Sequence, residues 1–272
     1  MNEKENNTLP IGIFDSGIGG LTVAREVINK LPNENIIYLG DTARVPYGTK
    51  SSRTVITYSQ RNAKFLISKG IKLLVIACNT ASSVALQSLR WDYKIPIVGV
   101  IEPGARKAAA TTKTGIVGVI GTPSTINSNS YKQALENVNP DIKVISKPCP
   151  LFVSLADEGW THGKITEMIV EKYLIEISGE GIDVLILGCT HYPLLKDSIQ
   201  NFLGNEITLV DSAEETALEI KRTLDEKDLT NKTEHIQKRE YYLTDVSDTF
   251  IDVANRFLGE KIEKIDMVDI NI

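Results

Sequence analysis

Short apolar runs with almost no polar interruption recur along this chain, and most are followed by a stretch of helical periodicity. The runs at residues 11–15, 36–40, 72–77, 97–100, 115–120, 143–146, 184–187 and 208–210 read as strands, many of them rich in Val and Ile. A strand without apolar–polar alternation suits a sheet covered on both faces. Helical patterns occupy residues 21–30, 52–69, 82–91, 125–137, 164–177 and 194–202. Alternation of this kind predicts an α/β fold, mainly parallel, with helices on both sides of the sheet. Residues 241–244, 250–257 and 264–266 add a further strand, helix and short strand. The segment 225–239 is charged and aperiodic, and reads as a surface excursion.

The pattern echoes itself. Ile11-Gly12-Ile13-Phe14-Asp15-Ser16 precedes Leu74-Val75-Ile76-Ala77-Cys78-Asn79-Thr80, and Gly118-Val119-Ile120-Gly121-Thr122 precedes Leu185-Ile186-Leu187-Gly188-Cys189-Thr190-His191. Asp15 stands 63 positions before Cys78, and Thr122 stands 67 before Cys189. In each half a glycine-containing strand end is followed by a later strand that ends in cysteine. Two pseudo-symmetric α/β units facing each other fit this echo. Any two strand-to-helix turns would also resemble each other this far.

With 272 residues and 42% hydrophobic content, the chain fills one large domain or two smaller ones. A net charge of -5 argues against nucleic acid or anionic lipid as the main partner, and leaves room for a small anionic substrate. Residues 1–8 lack the basic start and apolar stretch of a secretory signal, and no run is long enough to span a bilayer. A cytoplasmic protein is therefore expected. The three cysteines, Cys78, Cys149 and Cys189, include no CxxC pair, which suits neither a disulfide framework nor thioredoxin-like redox work. His162, His191 and His235 are scattered. Cys189 with His191 supplies too few ligands for a closed metal site, so no metal is expected.

Ligands of open parallel sheets gather beyond the carboxyl ends of the strands. Three groups sit there. Asp15-Ser16-Gly17-Ile18-Gly19-Gly20 permits a tight turn and offers helix N–H groups to an anion. Thr22 in place of the third glycine rules out a dinucleotide fingerprint, and a Walker ending is missing. Ala77-Cys78-Asn79-Thr80-Ala81-Ser82 puts a thiol at a strand end before a helix, where the thiolate is favoured. Asn79 and Thr80 serve there as caps or as donors to a carboxylate. Gly188-Cys189-Thr190-His191-Tyr192-Pro193 repeats the arrangement, with an imidazole able to tune the thiol or donate a proton. Singly, each group also reads as plain structure: a turn, a buried apolar cysteine, a histidine satisfied by a helix end. Together, two thiols in equivalent places suit two-base proton transfer at carbon, one thiolate removing a proton while the opposing thiol donates to the other face. Such a site also needs donors for the negative charge that develops on a carboxylate-bearing intermediate. Cys149, between Pro148 and Pro150, reads as structural.

These stretches resemble the glutamate racemases of the aspartate/glutamate racemase superfamily. The matching segments are Pro10-Ile11-Gly12-Ile13-Phe14-Asp15-Ser16-Gly17-Ile18-Gly19-Gly20-Leu21-Thr22-Val23, Gly40-Asp41-Thr42-Ala43-Arg44-Val45-Pro46-Tyr47-Gly48, Ile76-Ala77-Cys78-Asn79-Thr80-Ala81, Gly99-Val100-Ile101-Glu102-Pro103-Gly104-Ala105 and Ile186-Leu187-Gly188-Cys189-Thr190-His191-Tyr192-Pro193. They run in order from about Pro10 to Leu224. The resemblance implies interconversion of L- and D-glutamate without pyridoxal phosphate, metal or any other cofactor, supplying D-glutamate to peptidoglycan synthesis. It assigns Cys78 and Cys189 as the catalytic acid/bases, assisted by Asp15 and His191. It also links Glu158, within Ala156-Asp157-Glu158-Gly159-Trp160, with the site, although a solvated helix-end charge suits that residue equally. Substrate contacts are implied for Asp15, Ser16, Tyr47, Gly48, Asn79, Thr80 and Thr190, which offer hydroxyls and N–H groups to two carboxylates and an acid to the ammonium. From the residues alone, Tyr47-Gly48 is a plain Pro-Tyr-Gly turn. Position 45 is valine, where some members carry another residue, and the match beyond Asp225 is loose. The implied fold has two α/β domains with the site in the cleft between them, one of residues 10–99 with 209–272 and one of residues 100–208. No nucleic-acid or membrane partner is implied, and there is room for a homodimer.

Three rivals stand beside this reading. An aspartate racemase would use the same two-thiol logic. A non-catalytic binder of acidic amino acids would keep the fold, although retention of both cysteines speaks against it. A redox or metal protein lacks its motifs.

Overall fold

The computed structural model describes residues 6–233, 237–246 and 248–270. His235 lies outside them. The first half runs β1 (Ile11–Asp15), α1 (Leu21–Lys30), β2 (Ile36–Gly40), α2 (Ser52–Ser68), β3 (Leu73–Ile76), α3 (Asn79–Asp92) and β4 (Ile97–Gly99). The second runs α4 (Ile101–Thr111), β5 (Ile116–Gly121), α5 (Pro123–Asn127), α6 (Ser130–Val138), β6 (Lys143–Pro148), α7 (Leu151–Asp157), α8 (Lys164–Ser178), β7 (Val184–Gly188), α9 (Lys196–Leu203) and β8 (Thr208–Asp211). The chain then returns through α10 (Ser212–Glu226), β9 (Arg239–Leu243), α11 (Asp248–Leu258) and β10 (Asp266–Met267).

The strands form two sheets, ordered β10-β9-β2-β1-β3-β4 and β6-β5-β7-β8. All pairings are parallel. This is the expected α/β fold, and its repetition is topological. The segment β2-β1-β3-β4 and the whole second sheet share one strand order when each is counted from its own first strand. Cys78 follows the third strand of the first unit, and Cys189 follows the third strand of the second. The inner strands β1, β2, β3 and β7 are buried at every position, as their unbroken apolar runs require. The edge strand β6 is only partly buried and ends at Pro148, a residue tolerated where no ladder N–H is needed. One apolar core runs between the sheets through α1, α4 and α10, and two further cores cover the outer faces. Among the described residues no helix is long and apolar enough to cross a membrane.

Local chemistry moved several expected boundaries. The divide expected between residues 208 and 209 falls inside β8, where Leu209 and Val210 pair with Leu185 and Ile186. The change of sheet comes after Asp211, whose carboxylate caps α10 by accepting from the Ala213 N–H at 2.8 Å. The helix expected over 125–137 is two helices, because Asn129 takes a left-handed conformation (φ 57°) and the Ser128 hydroxyl accepts from the Ser130 N–H. The helix expected from 194 starts as a 3-10 turn, Tyr192–Leu195, before α9. Helix α4 is an element that the helical patterns in the sequence do not include. Pro103 lies in the helix's first turn, where its missing N–H costs nothing.

Candidate active site

Cys78 sits at the end of β3 as the N-cap of α3. Its Sγ accepts from the Ala81 N–H at 3.4 Å and lies 3.6 Å from the Ser16 hydroxyl. Ser16 comes from the end of β1, beside Asp15. Asp15 is fully buried. Its Oδ2 accepts from the Gly17 N–H at 2.9 Å, while Oδ1 has no hydrogen-bond partner within the protein. Burial raises the Asp15 pKa, against the pull of the His191 charge and of the amides of Gly17, Gly20 and Ser16. Burial also pushes the Cys78 thiol up to about 12, reinforced by the Asp15 carboxylate and opposed by the Ala81 and Ser16 hydrogen bonds. Cys78 therefore holds its proton at neutral pH.

Cys189 sits at the end of β7, with Sγ 3.7 Å from Nδ1 of His191. The other ring nitrogen, Nε2, meets the Asp157 carboxylate at 3.2 Å, and the ring packs edge-on to Phe257. Burial alone would drive the imidazole toward its neutral form. Asp157 and Cys189 outweigh it, and the His191 pKa stands well above its ordinary value. This corner therefore carries a protonated imidazole beside its sulfur. A negative charge on the Cys189 sulfur adds a small further push upward on the Cys78 thiol.

Close contacts lock the corners together. A Cβ at Gly19 would run into the His191 ring and the Thr190 hydroxyl, so only glycine lets the β1–α1 loop of the first sheet lie against the Cys189 turn of the second. The Thr22 hydroxyl reaches the Thr190 carbonyl at 3.2 Å across the same boundary. On the Cys78 side, the hydroxyls of Thr80, Thr122 and Thr125 form a triangle with edges of 3.0 to 3.1 Å. Gly48 lies against Thr122, and a Cβ there would stand 2.8 Å from it.

Among the expected site residues, Cys78, Asp15, Ser16, Asn79 and Thr80 cluster at one corner, and Cys189, Thr190 and His191 at the other. The Tyr47 hydroxyl is already committed, donating to Asp41 and accepting from the Asn62 amide at 3.1 Å, so it fixes the turn that presents Gly48. Glu158 is exposed at the C-cap of α7 and lines a cavity of about 410 Å³ next to His191. The carboxylate that engages the imidazole belongs to its neighbour Asp157. Sequence reasoning gave no role to Asp157, Thr122, Thr125 or Tyr131. Cys149 is buried in the outer core of the second sheet, as its lack of context suggested. Among the described residues, no cluster of three or more His, Cys, Asp or Glu side chains could hold a metal.

The family model described as Asp/Glu/Hydantoin racemase matches residues 21–220. A glutamate racemase of Geobacter metallireducens is 52% identical over 96% of this chain and 96% of its own length. One of Syntrophus aciditrophicus is 45% identical over 99% of this chain and 100% of its own. The crystal structure of a Francisella tularensis glutamate racemase in complex with D-glutamate superposes with a TM-score of 0.92 at 40% identity, covering 97% of this chain and 99% of that one. The chain belongs to the glutamate racemases of the Asp/Glu/Hydantoin racemase family.

Proposed function

We propose that this chain interconverts L- and D-glutamate by a two-base proton transfer between Cys78 and Cys189. The observation that carries the reading is the pair of thiols at topologically equivalent strand ends, close enough for a charge on Cys189 to act on Cys78. One sulfur, as thiolate, takes the α-hydrogen of glutamate. The electron pair left on the α-carbon spreads into the α-carboxylate, and the opposing thiol delivers its proton to the other face. The first sulfur ends as thiol and the second as thiolate. The electrostatics favour Cys78 as the proton donor, because burial and the Asp15 carboxylate push its thiol up to about 12. At the other corner, the His191 proton stabilises a Cys189 thiolate by a charge-assisted hydrogen bond.

Substrate recognition rests on matched charges. The buried Asp15 carboxyl, with its unbonded Oδ1, suits the α-ammonium. The hydroxyls of Ser16, Thr80 and Thr190, the Asn79 amide and the N–H of Gly48 suit the two carboxylates. Glu158 stands at the rim, where its charge acts on the entrance more than on the chemistry. The two sheets are read as two domains, one of residues 10–99 with the C-terminal return and one from residue 100 to the end of β8. The role extends to a cytoplasmic supply of D-glutamate for peptidoglycan, and to a homodimer, which sedimentation velocity measures. No cofactor enters the reading.

Circular dichroism of L- and D-glutamate with the pure protein tests the activity. Both signals should converge to zero, and neither should do so with Cys78→Ala or Cys189→Ala. Undiminished racemisation in either variant rejects the two-base mechanism. Comparable rates on aspartate reject the specificity.

A further inference from the structure

Tyr131 opens α6 in the second half, yet its hydroxyl donates to Oδ1 of Asn79 in the first, at 2.7 Å. Asn79 directly follows Cys78. The Tyr131 ring is 2% exposed and lies over Gly188, the residue before Cys189, where a Cβ would stand 3.0 Å from the ring. One side chain thus touches the neighbours of both thiols. The Ser212 hydroxyl, at the start of α10, faces the phenol oxygen from a third direction. Among the described residues, the phenol proton's hydrogen-bond acceptor is Asn79 Oδ1. That contact favours the orientation of the Asn79 amide in which Oδ1 faces the phenol. Its other end, Nδ2, is buried and has no hydrogen-bond partner within the protein. A buried amide donor without a partner costs stability, and it repays that cost when a ligand supplies the acceptor.

We infer that Tyr131 is a positioning residue, which holds the Asn79 amide with its NH₂ group aimed at the α-carboxylate of the substrate and keeps the two thiol-bearing strand ends in register. Were the amide turned over, its carbonyl oxygen would face the carboxylate and repel it, and the phenol proton would be left with only the Ser212 hydroxyl as acceptor. The arrangement matters most in the transition state, when the α-carboxylate gains charge next to Cys78. The inference rests on the glutamate reading of the site.

The test is a double-variant cycle on Tyr131→Phe and Asn79→Ala, read by racemisation rate and by calorimetric binding of D-glutamate. Tyr131→Phe keeps the ring on Gly188 and removes only the donor. It should lower kcat/KM about tenfold in both directions, the loss of one hydrogen bond acting on a charged group, and should lower the melting temperature by only a few degrees, because Asn79 Oδ1 loses its donor. The double variant should be no slower than Asn79→Ala alone, because Tyr131 acts through Asn79. A purely structural tyrosine would give losses that multiply. Wild-type kinetics in Tyr131→Phe, or multiplying losses in the double variant, would overturn the proposal. If the wild-type protein failed to racemise glutamate, the functional reading would fall. The positioning role would then be judged on calorimetry alone, supported by weaker binding in Tyr131→Phe and overturned by equal binding.

Discussion

The corners around Cys78 and Cys189 descend from one strand order and yet differ in their electrostatics. Cys78 caps a 14-residue helix, but its burial, reinforced by the Asp15 carboxylate, outweighs the Ala81 and Ser16 hydrogen bonds and holds its proton. Cys189 is followed by a short 3-10 turn, and its nearest ionisable neighbour is an imidazole kept charged by Asp157. Symmetric topology has thus been given asymmetric charge: a negative helper on one side and a positive one on the other. The difference teaches how two identical side chains can rest in opposite roles. In the proposed mechanism the thiol beside Asp15 serves first as the acid, and the sulfur beside the imidazolium serves first as the base. The two helpers also face each other, since the charge on His191 lowers the Asp15 pKa against the effect of burial. In the proposed mechanism, removal of one proton and delivery of another invert the state of both corners, which must be reset before the next molecule of the same enantiomer.

Gly19→Ala should break the comparison most severely. The added methyl meets His191 and Thr190 and must displace the Cys189 corner while leaving the packing of Cys78 on Ser16 in place. A displacement on the order of 1 Å at a reacting group costs about a hundredfold in rate. Steady-state kinetics should show that loss in both directions, with folding retained by circular dichroism.

Asp157→Asn should sharpen the comparison instead. Among the groups acting on His191, Asp157 raises the imidazole pKa against burial. Activity that needs the imidazolium falls as pH rises through that raised value. Removing the carboxylate lowers the value, so the basic limb of the kcat/KM profile should move to lower pH. At high pH, activity should then drop about tenfold for every pH unit the limb moves. An unmoved basic limb would mean that His191 does not act as a charged group. The same measurement on Glu158→Gln should show little change, since that carboxylate does not reach the ring.

Asp183→Asn should leave the comparison untouched and serves as the control. Asp183 lies before β7, away from both sulfurs. Burial pushes its pKa up, but hydrogen bonds from Thr112, Lys113 and Thr114 outweigh this and hold it at about 2. A depressed folded value means that the stabilisation is complete above the unfolded pKa of about 3.8 and is lost as pH falls toward about 2. Denaturant unfolding at neutral pH should show a loss of about 1 kcal/mol, kept small by the group's exposure to solvent. That difference should shrink below about pH 4, and racemisation should be unchanged.

The fold was legible wherever one physical demand dominated. Strands β1 and β2 were bounded to the residue because fully buried strands tolerate no polar break. The loop at 128–129 and the start of α9 were not, because a serine hydroxyl and a left-handed asparagine act over one or two residues and leave no periodic trace. The cysteines could be singled out as candidates because they sit at strand ends, and the structure places Asp15 and His191 near them. Asp157 could not be told from Glu158, since two adjacent acids at a helix end carry no sign of which one turns inward. Thr122 was visible in the echo between the halves, but its partner Thr80 comes from 42 residues earlier, across the cleft. Tyr131 carried no sequence signal at all, because its role arises only where three helices from different parts of the chain meet.

Isotope tracing in deuterium oxide tests the two-thiol account most directly. Racemisation is started from unlabelled L-glutamate, and both enantiomers are separated and weighed by mass spectrometry before a tenth of the substrate has turned over. Two thiols, each exchanging with solvent and each serving one face, predict D-glutamate carrying one deuterium while the remaining L-glutamate carries none, and the mirror result from D-glutamate. Early D-glutamate that keeps its protium, or deuterium appearing equally in the unreacted L-glutamate, would show one base working on both faces and would contradict the assignment of Cys78 and Cys189 as an opposed pair.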